Sequence, residues 1–222
     1  MRRLLDELTD TIAAFVDQND ALTLVVAADD TTMIVLAKTL EGLDEQNGAD
    51  VFLMFPDEAG PPDAYVASLV ARFEAQRTQL NELLAERGKP PWPELPPPCY
   101  DPRLPPAARL HAAIGYVREQ MPQDGDHRLV VALLPLSIRD PAGYAQIVAT
   151  FVPNGPIQPW MRGTRILVRD DRSAPFLIPA LRNAEAPGVL IYEQTSPFRR
   201  SKPRSGRRRS IPKCRSDCGC KP

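Results

Sequence analysis

Two pairs of adjacent aspartates stand where apolar runs give way to polar chain: Asp29-Asp30 after "ALTLVVAA" and Asp170-Asp171 after "TRILVR". Carboxylates at strand ends can act on phosphate esters, one attacking as nucleophile while another moves the proton. Both must then reach one reacting centre, and adjacent residues leaving a strand point to different sides. An aspartate just ahead of a helix has another use: it accepts hydrogen bonds from the first helical N–H groups and contributes about 1 kcal/mol. Adjacency favours this second use, so Asp29 or Asp30 is predicted to cap a helix beginning at Thr31. Asp170-Asp171, with Arg165, Arg169 and Arg172 around it, is predicted to be a surface ion-pair cluster. A ligand site at that strand end is the alternative.

The remaining reactive side chains are few. Cys214, Cys218 and Cys220 lie in "CRSDCGC", with Cys99 far upstream. Structural zinc takes four ligands, commonly with C-x2-C pairs, and this C-x3-C-x-C spacing lacks them. His111 and His127 are the only histidines. No catalytic residue, cofactor ligand or metal ligand is therefore assigned.

Charge is divided unevenly along the chain. Residues 1–198 carry 17 basic and 27 acidic groups, and residues 199–222 carry ten basic groups and one acidic, Asp217. A net of −10 on the domain thus faces +9 on a short tail. Arg199, Arg200, Lys202, Arg204, Arg207, Arg208 and Arg209 are the candidates for binding a polyanion, in a salt-dependent way and without reading sequence. The expected tail, 198–222, is too rich in Arg, Ser, Pro and Lys to pack a core and is predicted to be disordered.

These residues must be positioned by regular elements, and the apolar pattern supplies them. Leu4, Leu5, Leu8, Ile12, Phe15 and Val16 predict an amphipathic first helix. A strand over 21–28 follows, then a helix from Thr31 to about Gln46 with Met33, Ile34, Ala37, Leu40 and Leu43 on its inner stripe, stopped at Asn47-Gly48. A second buried strand covers 50–55, and a long helix runs to about Arg87 with Val66, Leu69, Val70, Phe73, Leu80 and Leu84 facing inward. Residues 88–106 hold nine prolines and must form a stiff excursion, neither helix nor central strand. Trp92 and Tyr100 on it are candidate protein-docking residues, with Trp92 as a buried loop anchor the alternative. A helix through Leu110 and Met121, strands at 128–136, 164–170 and 188–193, and helical segments between them complete the order. Helix-joined apolar strands imply an α/β, three-layer, mostly parallel five-stranded sheet spanning 1–197.

Five strands in this order resemble the core of a P-loop NTPase, particularly its AAA and STAND-type branches. The resemblance makes Leu22–Ala28 the strand that leads to the phosphate loop, and Arg128–Leu134 the strand that ends in a metal-binding acid. The functional residues do not follow. Only Asp29 and Asp30 separate Ala28 from the predicted helix, with no glycine and no lysine to wrap and neutralise a phosphate. Pro135, Leu136 and Ser137 stand where Asp or Asp-Glu belongs. The resemblance therefore implies a degenerate, non-hydrolysing domain. A haloacid-dehalogenase-like phosphohydrolase using Asp29/Asp30 and Asp170/Asp171 would want carboxylates two residues apart, not adjacent.

The expected function is that of a non-catalytic adaptor or assembly subunit in the cytoplasm. It would bind a protein partner, such as an active NTPase relative or a larger assembly, without a cofactor. The alternatives are a nucleic-acid accessory role through the basic tail, or the phosphohydrolase. No membrane segment is expected, since no stretch approaches about 20 apolar residues.

Overall fold

In a computed structural model of the chain, residues 2–122 and 127–193 are described. They form α1 (Arg2–Asp17), β1 (Thr23–Ala28), α2 (Asp30–Gln46), β2 (Val51–Phe55), α3 (Pro62–Glu86) and α4 (Pro106–Gln120). Then follow β3 (Leu129–Leu133), α5 (Pro141–Ala149), β4 (Thr164–Asp171), α6 (Leu177–Asn183) and β5 (Val189–Glu193). The strands make one sheet in the order β2-β3-β4-β1-β5, and every pairing is parallel. Parallel neighbours require crossovers, and the helices supply them on both faces.

Alternation along the strands decides which helix covers which face. Leu24, Val26 and Ala28 of β1, Val130 and Ala132 of β3, and Leu167 of β4 point to one side. There they pack against Ile12, Phe15 and Val16 of α1 and Met33, Leu36 and Leu40 of α2. The opposite parity sends Val25, Val131, Leu133, Ile166 and Val168 toward α3 to α6, where Leu69, Ile114, Ile147 and Ile178 meet them. Each such aliphatic side chain is worth about 1.5–3 kcal/mol when fully buried.

The same alternation separates the charged residues of β4. Arg165 and Arg169 share the α1/α2 side with Leu167, and both are buried. Arg165 sits beneath the end of α1 and donates to the carbonyls of Phe15 (3.3 Å) and Gln18, and to Asn19 Oδ1 (3.0 Å). A cation there satisfies carbonyls that have no partner within the helix.

Four expectations need correction. The second strand is not buried: it pairs with β3 alone among the described strands, and only Phe55 is fully covered. Leu5 is 37% exposed, and Leu80 and Leu84 are half-buried, because α3 runs on past the layer it covers. The proline-rich excursion contains one 3-10 turn, Pro97–Cys99, whose dihedrals proline tolerates. Most consequential, Ile34 is 62% exposed; the buried residues of α2 are Thr32, Met33, Val35, Leu36, Thr39 and Leu40.

The excursion is tied down from both sides. Asn81 accepts from Trp92 N (2.7 Å) and donates to Trp92 O (3.0 Å), so one side chain stands in for a neighbouring strand. Tyr116 Oη donates to Pro93 O (2.5 Å), and its ring meets Trp92 edge-on at 6.3 Å. No described helix is long and apolar enough to cross a membrane.

Candidate functional site at the carboxyl edge of the sheet

In open α/β sheets the crevice beyond the carboxyl ends of the strands is where ligands bind. Here that edge is built from the β1–α2 junction, the chain after β3 and the chain after β4. Asp29 has extended backbone (φ −90°, ψ 177°) and caps α2. One carboxylate oxygen accepts from Thr32 N at 2.8 Å and from Thr32 Oγ1 at 2.9 Å, while the other lies 3.5 Å from Arg172 Nη1. The positive end of α2 is thus already occupied by a side-chain anion of the chain itself. Of the two aspartates, the structure selects Asp29 as the cap; Asp30 is the first helical residue, with its side chain 98% exposed.

The Thr32 backbone bond favours the ionised carboxylate and holds Asp29 below the usual aspartate range, although partial burial opposes it. A lowered folded value means the unfolded chain binds the proton first as acid is added. The cap is therefore at full strength above about pH 4 and is lost as pH falls through the folded value. Asp29→Ala is expected to cost about 1 kcal/mol in urea unfolding at pH 7. That deficit should vanish near pH 2, and a deficit of equal size at both pH values would contradict the charged cap.

Asp170-Asp171 is not the surface ion-pair cluster that the sequence suggested. Asp170 is fully buried on the face opposite Arg169, because neighbouring residues of a strand point apart. Its two oxygens accept from Phe176 N (3.1 Å) and Ile178 N (2.9 Å), which caps α6 from eight residues upstream. Asp171 turns back on Ser173, accepting from its N (2.8 Å) and Oγ (2.7 Å), and this Ser173 side-chain bond holds its carboxyl below the ordinary value. Three of the four aspartates are thus engaged in holding backbone turns. They do not converge on a common centre.

Arg169 closes the gap between β4 and the chain after β3. Its Nη1 donates to Pro135 O (2.8 Å) and Leu136 O (3.0 Å), and its Nη2 lies 3.8 Å from Asp30 Oδ1. Its Nε is buried and has no acceptor. Pro135 and Leu136 thus present carbonyls to a cation, and Leu136 is left 67% exposed.

Beside these residues a groove of about 540 Å³ opens between α2 and the ends of β2 and β3. Met33, Ile34, Met54, Leu134 and Leu136 give it an apolar floor and lip, with Asp30 and Glu41 on the rim. Isolated exposed apolar residues are ordinary, but Ile34 and Leu136 flank one concavity and are therefore informative. Sequence reasoning missed this site. Its one available signal was that Met33 and Ile34 cannot both lie at the centre of a single helical stripe.

The other sequence candidates lie elsewhere. Trp92 is half-buried against the larger core cluster and lines a second cavity of about 360 Å³ beside β2. Tyr100 is 51% exposed, and its hydroxyl donates to Glu74 Oε2 at 3.0 Å. Cys99 is buried, which pushes its thiol up to about 11 and makes it a poor nucleophile. His111 is stacked on Trp160 at 4.4 Å, and burial pulls its imidazole down to about 4. No group of three or more potential metal-binding side chains occurs among the described residues. Arg199, Arg200, Lys202, Arg204, Arg207, Arg208 and Arg209, together with Cys214, Cys218 and Cys220, lie outside the described residues.

Comparison with family models, with curated proteins and with solved structures finds no match to this chain.

Proposed function

We propose that the chain is a non-catalytic protein-binding subunit whose docking site is the α2 groove at the carboxyl edge of the sheet. The observation that carries this reading is the pairing of an apolar, concave, acid-rimmed surface at Ile34 and Leu136 with a helix N-terminus already filled by Asp29. A phosphate offered to α2 would meet a carboxylate, whereas an apolar side chain offered to the groove would meet methionine and isoleucine. Methionine suits such a role because its unbranched, polarisable chain adapts to the shape of what enters. The reading as a degenerate P-loop NTPase-like domain is kept on the same grounds, with β5 closing the sheet beside β1. The partner is a protein, such as an active relative or a larger assembly, and the compartment is the cytoplasm, in keeping with the buried, unpaired Cys99 thiol.

Trp92, beside β2, and Tyr100, farther along the proline-rich excursion, are a second proposed contact surface. Replacing the proline-rich excursion by a Gly-Ser linker would test that surface separately.

The groove is tested by Ile34→Asp combined with Leu136→Asp. Both side chains are mostly exposed, so folding stability should change by no more than about 0.5 kcal/mol. Retention of partners by the tagged protein should fall about 100-fold, the scale expected when two interface anchors are replaced by charges. Magnesium-dependent ATP binding by the purified wild-type protein would count against the reading.

A further inference from the structure

We propose that the basic segment 207–213 of this same chain, Arg-Arg-Arg-Ser-Ile-Pro-Lys, docks in the α2 groove and competes there with the external partner. The inference rests on the groove being a protein-binding site. It identifies one occupant by charge, by apolar complementarity and by reach.

The groove asks for an apolar side chain flanked by cations. Its lip is Ile34 and Leu136, its floor includes Met33 and Met54, and its rim carries the exposed carboxylates Asp30 and Glu41. Along α2 the acidic excess continues: Asp30, Glu41, Asp44 and Glu45 stand against the single cation Lys38. Segment 207–213 has the matching order, with one large aliphatic residue, Ile211, between three arginines and Lys213.

The route is short. β5 is parallel to β1 and leaves the sheet at its carboxyl edge, with Glu193 in register with Ala27, two residues before Asp29. Three strand spacings separate β5 from β3, whose following residues line the groove. At about 4.8 Å each, this is about 15 Å. The 13 residues from 194 to 206 lie between Glu193 and the segment. A chain of that length spans up to about 45 Å, so the segment reaches the groove without strain. Tethering also keeps the segment at a high local concentration, so individually weak contacts suffice for occupancy.

The test is carbodiimide coupling of lysine amines to carboxylates in the full chain at low salt, mapped by mass spectrometry on a mixture of isotope-labelled and unlabelled protein. The chain has five lysines, Lys38, Lys89, Lys202, Lys213 and Lys221, so assignments are unambiguous. The proposal expects Lys213 to couple to Asp30 or Glu41 within one molecule. Ile211→Asp, at a position outside the described residues, should reduce that product about tenfold, the effect of withdrawing one apolar anchor. Ile34→Ser, which removes the apolar lip without adding a carboxylate, should do the same. Coupling spread evenly onto Glu74, Glu82, Glu86 and Glu119 would overturn the proposal, as would coupling chiefly between molecules or a yield unchanged by Ile211→Asp. Partner capture separates the two ideas. If Ile34→Asp abolishes capture while the wild-type chain gives no Lys213 product, the tail inference falls alone and the groove stands. If Ile34→Asp leaves capture intact, the groove reading itself falls.

Discussion

Gly143→Ala lowers the unfolding free energy by about 2 kcal/mol net, whereas Gly42→Ala raises it by about 0.5–1 kcal/mol, although both glycines lie inside helices. Propensity alone predicts a gain for both, since alanine is favoured over glycine by about 1 kcal/mol in a helix interior. Space decides otherwise at position 143. A β-carbon there would run into Asp140 Oδ2 and lie 2.7 Å from Pro62 Cδ, so the cap of α5 and the start of α3 would have to move apart. Asp140 makes that cap by accepting from Gly143 N at 2.9 Å, and its disturbance adds about 1 kcal/mol to an overpacking cost of about 1–3 kcal/mol. Around Gly42 nothing lies within 4 Å of the added carbon. Urea denaturation of both variants gives the signs directly, and a Gly143→Ala protein as stable as wild type would refute the close approach of α3 and α5.

Asp170→Ala is the second large effect, a loss of about 3 kcal/mol. Two charge-assisted hydrogen bonds, to Phe176 N and Ile178 N, disappear from a fully buried site, leaving donors of α6 without acceptors. Asp171→Ala, whose partner Ser173 is exposed, should cost less than about 1 kcal/mol. The contrast bears on function as well as stability. An aspartate retained for catalysis at a strand end can usually be replaced with little loss of stability, because its neighbourhood is arranged for a substrate. An aspartate that holds a helix start cannot. Equal and small losses for Asp170→Ala and Asp171→Ala would return the pair to the list of catalytic candidates.

What was legible in the sequence follows from how locally each feature is determined. The strands and their crossovers were readable because runs such as "RLVVALLPL" are apolar on both faces, and only a covered parallel sheet accommodates that. The Asp29 cap was readable because cap and helix are adjacent in sequence. Asp170 was not, because its partners Phe176 N and Ile178 N are delivered by a turn that composition does not specify. The arginines of β4 were misplaced for a related reason: alternation sends Arg165 and Arg169 beneath α1 and toward the chain after β3, while sequence proximity groups them with Asp170. The edge position of β2 depends on strand order, which no single strand encodes.

Ile34 shows the limit most clearly. Helical spacing allows an inner stripe through Met33 or through Ile34, and the choice fixes whether the groove exists. The stripe through Thr32, Met33, Leu36 and Leu40 wins because these residues fit against β1, β3 and α1, and this turns Ile34 outward. An apolar residue that seemed to serve the core thereby becomes the lip of the site.

The measurement that bears most directly on this account places a photo-crosslinking amino acid singly at position 34, at position 136 and at position 157 in the full chain. Ile157 is as exposed as Leu136 (68% against 67%) but lines a cavity with Asp20 and Leu22, at the opposite edge of the sheet. The account predicts that the same partner protein is captured from positions 34 and 136 and not from 157. Capture of equal strength at all three positions, or at 157 alone, would contradict the placement of the docking site at the carboxyl edge of the sheet.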